Sequence, residues 1–165
     1  MDTISLVLFV VIGGIVLLWL PHLLSYKLLK NRIVRRQRWD LNICCGTTDG
    51  GGINADIVRH TQVSKFVQVR IYELPFRDGQ FESALCSHTI EHVRDPQAFY
   101  RELCRVSRTV TLVLPPLWDV TAATNLLEHR WLFLTFKKEH TTLPPHIRLP
   151  FARWVQKVLG QRIHA

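Results

Sequence analysis

Residues 4–24 contain no aspartate, glutamate, lysine or arginine, and the 165-residue chain has no C-x-x-C pair, no internal repeat and no low-complexity tract. Each absence removes a class of protein. Without paired C-x-x-C spacing, Cys44, Cys45, Cys86 and Cys104 read as reduced core thiols rather than a metal knot or a disulfide framework. No zinc-finger spacing and no aromatic RNA-binding signature accompanies the net charge of +8 and the pI near 9.8, so nucleic acid is not the expected partner. The apolar run has only Asp2 as an early charge and bulky residues after it, which argues against a cleaved signal peptide.

What is present begins with that run, "ISLVLFVVIGGIVLLWLPHLL". Roughly 20 apolar residues suffice to cross a bilayer. We expect a transmembrane anchor over 1–25, a basic juxtamembrane linker over 26–39 and one folded domain over 40–165. Lys27, Lys30, Arg32, Arg35, Arg36 and Arg38 follow the span, and positive residues this close favour the cytoplasmic side. The expected arrangement is single-pass, with the carboxy-terminal domain cytoplasmic and the lipid bilayer as a partner. The same basic cluster offers a contact for anionic lipid headgroups.

Beyond the linker, short apolar runs alternate with one convincing helix. "DLNICC" reads as a buried strand entering the loop "GTTDGGG"; "INADIV", "KFVQVRIYEL" and "FESALCS" read as further strands. Asp95 and Pro96 form a good helix start, since aspartate caps free amides and proline lacks the amide that would go unpaired. The helix places Phe99, Leu103 and Val106 on one face and leads into "TVTLVL", which Pro115 and Pro116 end. A strand, helix, strand unit of this kind indicates a parallel sheet.

"SHTIEH" contains an H-x-x-E-H pattern, His88 to His92. A zinc site of that pattern needs both imidazoles on one helical face, and here the motif follows a strand and is closed by Asp-Pro. A strand end and loop is the expected location, and no metal is expected. A third ligand, if one existed, would come from Glu128, His129 or His140.

The segment "YELPFRDGQFESALCSHTIEHVRDPQAFYRELCRVSR" resembles the central region of class I S-adenosylmethionine-dependent methyltransferases, with an L-P-F, a turn, an S-H-x-x-E-H loop and an R-E-x-x-R-V helix. Upstream, "LNICCGTTDGGGINADIV" resembles the short-loop L-N-x-G-C-G subgroup of the methyltransferase type 11-like domain. The resemblance covers about 40–116. It implies a trimmed Rossmann-like α/β fold, a mostly parallel sheet with flanking helices, and S-adenosylmethionine as cofactor; the N-terminal transmembrane helix that precedes the fold lies outside the resemblance. A small acceptor is expected or, because the anchor holds the domain close to the bilayer, a membrane-associated or lipid-linked one. By the same resemblance, Cys45, Gly46 and Thr47 approach the methionine part, Asp56 binds the ribose hydroxyls, and Ile71 and Tyr72, with Leu74, line the adenine pocket. Ser87 and His88 lie where methyl group and acceptor meet, with Glu91 and His92 orienting that loop.

Three departures bear on the pocket. Cys44 and Thr48 stand where relatives carry glycine, and Arg70 stands where relatives carry an acid. The stretch 47–53 is too short for the usual crossover helix, which predicts a shallower pocket, and the chain is expected to end before the final antiparallel strand pair of full-length relatives. The alternative to an enzyme is a membrane-tethered, non-catalytic module of the same fold. In the tail, "NLLEHRWLFLTFKKEH" either covers the site, touches membrane or packs. "PFARWVQKVLGQRI" predicts an amphipathic helix with Phe151, Trp154, Val155 and Val158 on one face, placed in the membrane interface or packed on the sheet.

Overall fold

The runs 41–43, 84–86 and 110–114 show little polar alternation because the strands they form are covered on both faces. In the computed structural model, which describes residues 2–160, their side chains are almost all nearly inaccessible. They belong to a six-stranded sheet. Its strands are β1 (Trp39–Ile43), β2 (Gly51–Asp56), β3 (Phe66–Gln68), β4 (Phe81–Ser87), β5 (Ser107–Val113) and β7 (Glu139–His140), in the order β3-β2-β1-β4-β5-β7. All neighbours are parallel except β7, which runs antiparallel to β5. The fold is Rossmann-like, as expected. Of the antiparallel strand pair that was not expected, the sheet carries one two-residue edge strand, β7, too short to announce itself in sequence. A separate hairpin-like pair joins β6 (Trp131–Phe133) to β8 (His146–Arg148).

The predicted helix is α3 (Pro96–Val106), with Asp95 Oδ1 accepting from Ala98 N at 2.9 Å. Phe99, Leu103 and Val106 are fully buried against the sheet. The R-E-x-x-R-V signature acquires a structural cause. Glu102 accepts from Leu74 N at 3.0 Å, and Arg105 donates to the carbonyls of Leu74 and Phe76, so the helix fastens the L-P-F turn. Cys104 is exposed on this helix rather than in the core.

"KFVQVRIYEL" is strand only over β3. Val69 N bonds Asp56 O at 2.9 Å and an isolated bridge pairs Arg70 with Glu73, so the chain turns inward where apolar alternation suggested it would run on. The crossover from β1 to β2 is a seven-residue loop without a helix, yet the strands pair in parallel, Trp39 opposite Gly51. Two buried amides stabilise it. Asn42 donates to Thr48 O and to Asn54 Oδ1, and Asn54 accepts from Gly50 N while donating to Asp49 and to Ser64 O. Gly52 is required by proximity, since a Cβ there would lie 2.3 Å from Trp39 O.

The amino-terminal helix α1 (Thr3–Leu23) runs through a π-helical turn (Leu24–Leu29) into α2 (Lys30–Val34), so 26–34 is helix and not linker. The correction has a physical basis: Ile33 and Val34 bury against Trp39, Leu85 and Val113 on the sheet face that carries no crossover helix. Trp39 Nε1 donates to Val34 O at 2.9 Å. Helix α1 buries none of its side chains, and the helical stretch 3–34 is long and apolar enough to cross a membrane. The last helix, α5 (Ala152–Leu159), buries Ala152 but leaves Phe151, Trp154 and Val158 largely exposed. The apolar face therefore does not pack on the sheet. Residues 161–163 of the predicted amphipathic segment lie outside the described residues.

Candidate functional site

In open parallel sheets ligands bind beyond the carboxyl ends of the strands, where the order reverses. Here the reversal lies between β1 and β4. A cavity of about 470 Å³ sits there, within the usual size range of small-molecule sites. Cys45, Gly46 and Thr47 after β1, Asp56 at the end of β2, Ser87 at the end of β4 and His88 just after it all line it. Six of the eight expected site residues are thus brought together.

The other two are elsewhere. Ile71 is buried in the main core, as is Leu74, and the Tyr72 hydroxyl accepts from Asp95 N at 2.9 Å. Ile57, Val58 and His60 occupy the corresponding wall, because the chain after β2 turns over the cavity while that after β3 folds under it. Arg70 is exposed and borders a separate surface depression, so it does not block the cavity. Cys44, in the place of a glycine, has φ 51°, the left-handed conformation in which glycine is favoured, so the backbone path is kept.

Gly46 also has positive φ, 54°, and open space where a Cβ would stand. Its N–H donates to Asp56 Oδ2 at 2.8 Å, while Asp56 Oδ1 accepts from Ile57 N. The carboxylate therefore ties the glycine loop to β2 and still has free lone pairs. Ser87 Oγ is buried and has no hydrogen-bond partner among the described residues. The neighbouring thiols are inert: burial, reinforced by Asp56, pushes Cys45 up to about 11, and burial raises Cys44 and Cys86 as well.

The fourth wall was not foreseen. Tyr26, Lys30 and Val34 of the amino-terminal helix close the cavity. The π-helical turn directs Ser25 inward, fully buried, where Lys138 Nζ donates to its Oγ at 2.9 Å. Lys138 also reaches His88 Nε2 at 2.7 Å. An ammonium can only donate, so Nε2 accepts and the ring proton sits on Nδ1, which faces Glu91 Oε1 at 3.4 Å. Burial pushes Lys138 down to about 8, and burial also lowers His88, keeping its imidazole neutral. His88 has φ 54° and its ring lies edge-on to Tyr26 at 5.3 Å. A non-glycine residue in that region costs roughly 1–3 kcal/mol and concentrates at functional sites. Glu91 and His92 belong to the same loop, and both are buried. Lys138 and Ser25 also escaped the sequence, lying 50 and 63 residues from His88 with no shared motif.

A family model described as a methyltransferase domain matches residues 52–112, from β2 to β5. No curated protein matches the chain in sequence. Among solved structures, the YcgJ protein from Bacillus subtilis is similar at 18% identity with a TM-score of 0.46, covering 61% of this chain and 59% of its own. An S-adenosylmethionine-dependent methyltransferase from Thermotoga maritima is similar at 19% identity and a TM-score of 0.43, covering 61% and 53%. Another from Methanosarcina mazei stands at 16% identity and 0.42, covering 66% and 74%. The chain spans less than two thirds of the length of the first two.

Proposed function

We propose that the chain is a membrane-anchored S-adenosylmethionine-dependent methyltransferase acting on a small or membrane-associated acceptor. The observation that carries this reading is the cavity at the sheet's reversal point, where Gly46, Asp56 and the unpartnered Ser87 hydroxyl meet. The match to a methyltransferase domain over 52–112 supports it.

The residues present fit the cofactor. Cys45, Gly46 and Thr47 present backbone to the methionine end, Asp56 offers lone pairs to ribose hydroxyls, and Ile57 and Val58 take the adenine role first expected of Ile71 and Tyr72. When bound, the cofactor supplies an electrophilic methyl group. The chain's own task is alignment, since transfer depends on holding two groups at reacting distance. Ser87 Oγ holds one bound group by a hydrogen bond. His88, whose Nε2 already accepts from Lys138, positions the loop rather than removing a proton.

The anchor reading rests on the exposed apolar surface of α1, which a bilayer would cover. Lys27, Arg32, Arg35 and Arg38 remain exposed for anionic headgroups and for a cytoplasmic orientation, whereas Arg36 is committed to Glu139. The uncovered face of α5 at Phe151, Trp154 and Val158 suits the membrane interface. Because the helix that enters the bilayer also walls the cavity, an acceptor leaving the membrane would meet the site at Tyr26.

Calorimetry on the full chain in detergent tests the proposal. Micromolar binding of S-adenosylmethionine is expected, and Asp56→Ala should weaken it by about 1.5–3 kcal/mol, the value of a hydrogen bond to a charged group. Absence of heat at millimolar ligand would leave the non-catalytic module.

A further inference from the structure

The H-x-x-E-H pattern does not use its two histidines together. His88 turns to Lys138, while Glu91 and His92 meet His129, each offering one ligand atom within 4.8 Å of the others. All three are buried, Glu91 completely. Neither oxygen of the Glu91 carboxylate has a hydrogen-bond partner among the described residues, and neither has His129 Nδ1. His88 Nδ1 stands 3.4 Å and His129 Nε2 4.0 Å from Glu91 Oε1. A buried carboxylate left in this state is costly unless a cation completes it. Lys138 makes no hydrogen bond to the carboxylate, since its Nζ is directed to Ser25 Oγ and to the far nitrogen of His88.

The surroundings hold the three side chains ready. Glu91 O accepts from the amides of Arg130 and Trp131, Trp131 Nε1 donates to Val93 O, and Gln156 of α5 donates to His129 O at 2.9 Å. These bonds zip 128–131 to 91–93. His92 Nδ1 lies 2.9 Å from Glu128 O, so it carries the proton and leaves Nε2 as the ligating atom, the arrangement that usually orients metal-bound imidazole.

We infer that Glu91, His92 and His129 form a binding site for a divalent metal ion of the zinc class. Two imidazoles and one carboxylate, with no thiolate, make the donor set of a zinc centre that keeps an open position. Tetrahedral ligands at about 2.1 Å stand roughly 3.4 Å apart, so the present 4.0 Å between Glu91 and His129 closes by about half an ångström on binding. Both imidazoles border a second cavity of about 380 Å³, which also contains His22, Tyr26 and Asn125 and supplies the open position. His92 lines both cavities, but none of the residues assigned to the cofactor is a ligand here, so the two readings are tested separately.

Titration of the full chain in detergent, stripped with chelator and then supplied with Co²⁺, decides the matter. Saturation at roughly one ion per chain is expected, with the visible absorption of a four-coordinate ion, displaced by Zn²⁺. His129→Gln and the near-isosteric Glu91→Gln should each weaken binding at least about 100-fold, while His140→Gln leaves it unchanged. A wild-type chain with no saturable absorption overturns the inference, whether or not the variants fold, and so does unchanged affinity in His129→Gln. Failure to bind S-adenosylmethionine would leave this result untouched, as the titration contains none.

Discussion

The two halves of the sheet are built differently. On one side, β4 and β5 are joined by α3, whose Phe99, Leu103 and Val106 fill the core beneath them. On the other, β1, β2 and β3 are joined by helix-free loops, while residues 33–34 of the amino-terminal helix cover the opposite face of the central strands, at Trp39 of β1, Leu85 of β4 and Val113 of β5. A crossover helix normally supplies both connection and cover. This chain separates the two tasks: Asn42 and Asn54 hold the connection, and the membrane-length helix provides the cover.

The sharpest way to break that contrast is to remove one large side chain from each half. Trp39→Ala and Phe99→Ala should each cost about 3–5 kcal/mol of stability, since both rings are almost fully buried. They should differ in function. Losing Trp39 also frees the Val34 carbonyl, loosening the wall at Tyr26, Lys30 and Val34, so binding of S-adenosylmethionine should fall with stability. Phe99→Ala should leave affinity intact in the molecules that stay folded. Denaturant unfolding paired with calorimetry reads both, and equal loss of affinity in the two variants would show that the helix is not a wall of the site.

The same contrast explains what the sequence revealed. Strands β1, β2, β4 and β5, helix α3 with its Asp95 cap, and six cavity residues were legible, because local patterns and one family motif carry them. The helical wall was not, since a basic stretch such as 27–38 looks alike as linker or helix until Ile33 and Val34 find a partner. His129 could be named only as one of three candidates to join the motif of Glu91, because their meeting depends on backbone hydrogen bonds to Arg130 and Trp131 that leave no trace in residue type.

A smaller effect comes from acid titration of the histidine cluster. Burial pushes His129 down to about 4, and burial also lowers His88. The unfolded imidazole takes a proton near 6.5 while the folded one resists it, so stability is full above pH 6.5 and declines as pH falls toward 4. Glu91 does not oppose this: burial would raise its carboxyl, but the imidazoles, His88 foremost, hold it down to about 2, and its contribution fades only below about 4.5. Chelator-treated protein should lose up to about 1.4 kcal/mol per pH unit and per histidine in that window. His129→Gln should flatten the slope, and an unchanged slope would assign the loss to other groups.

The smallest effect concerns the link between the outer helix and the far edge of the sheet. Arg36 binds Glu139 of β7 through two parallel hydrogen bonds of 2.9 and 2.7 Å, tying the end of the helix to the half that carries α3. Both side chains are partly exposed, so water and salt screen the pair and its worth is about 0.2–1 kcal/mol. If the apolar contact of Ile33, Val34 and Trp39 holds the helix, a double-mutant cycle with Arg36→Gln and Glu139→Gln should return a coupling in that range that shrinks with added salt. A coupling of several kcal/mol, insensitive to salt, would mean that the ion pair rather than the apolar contact docks the helix, and the central strands would then owe their cover to charge.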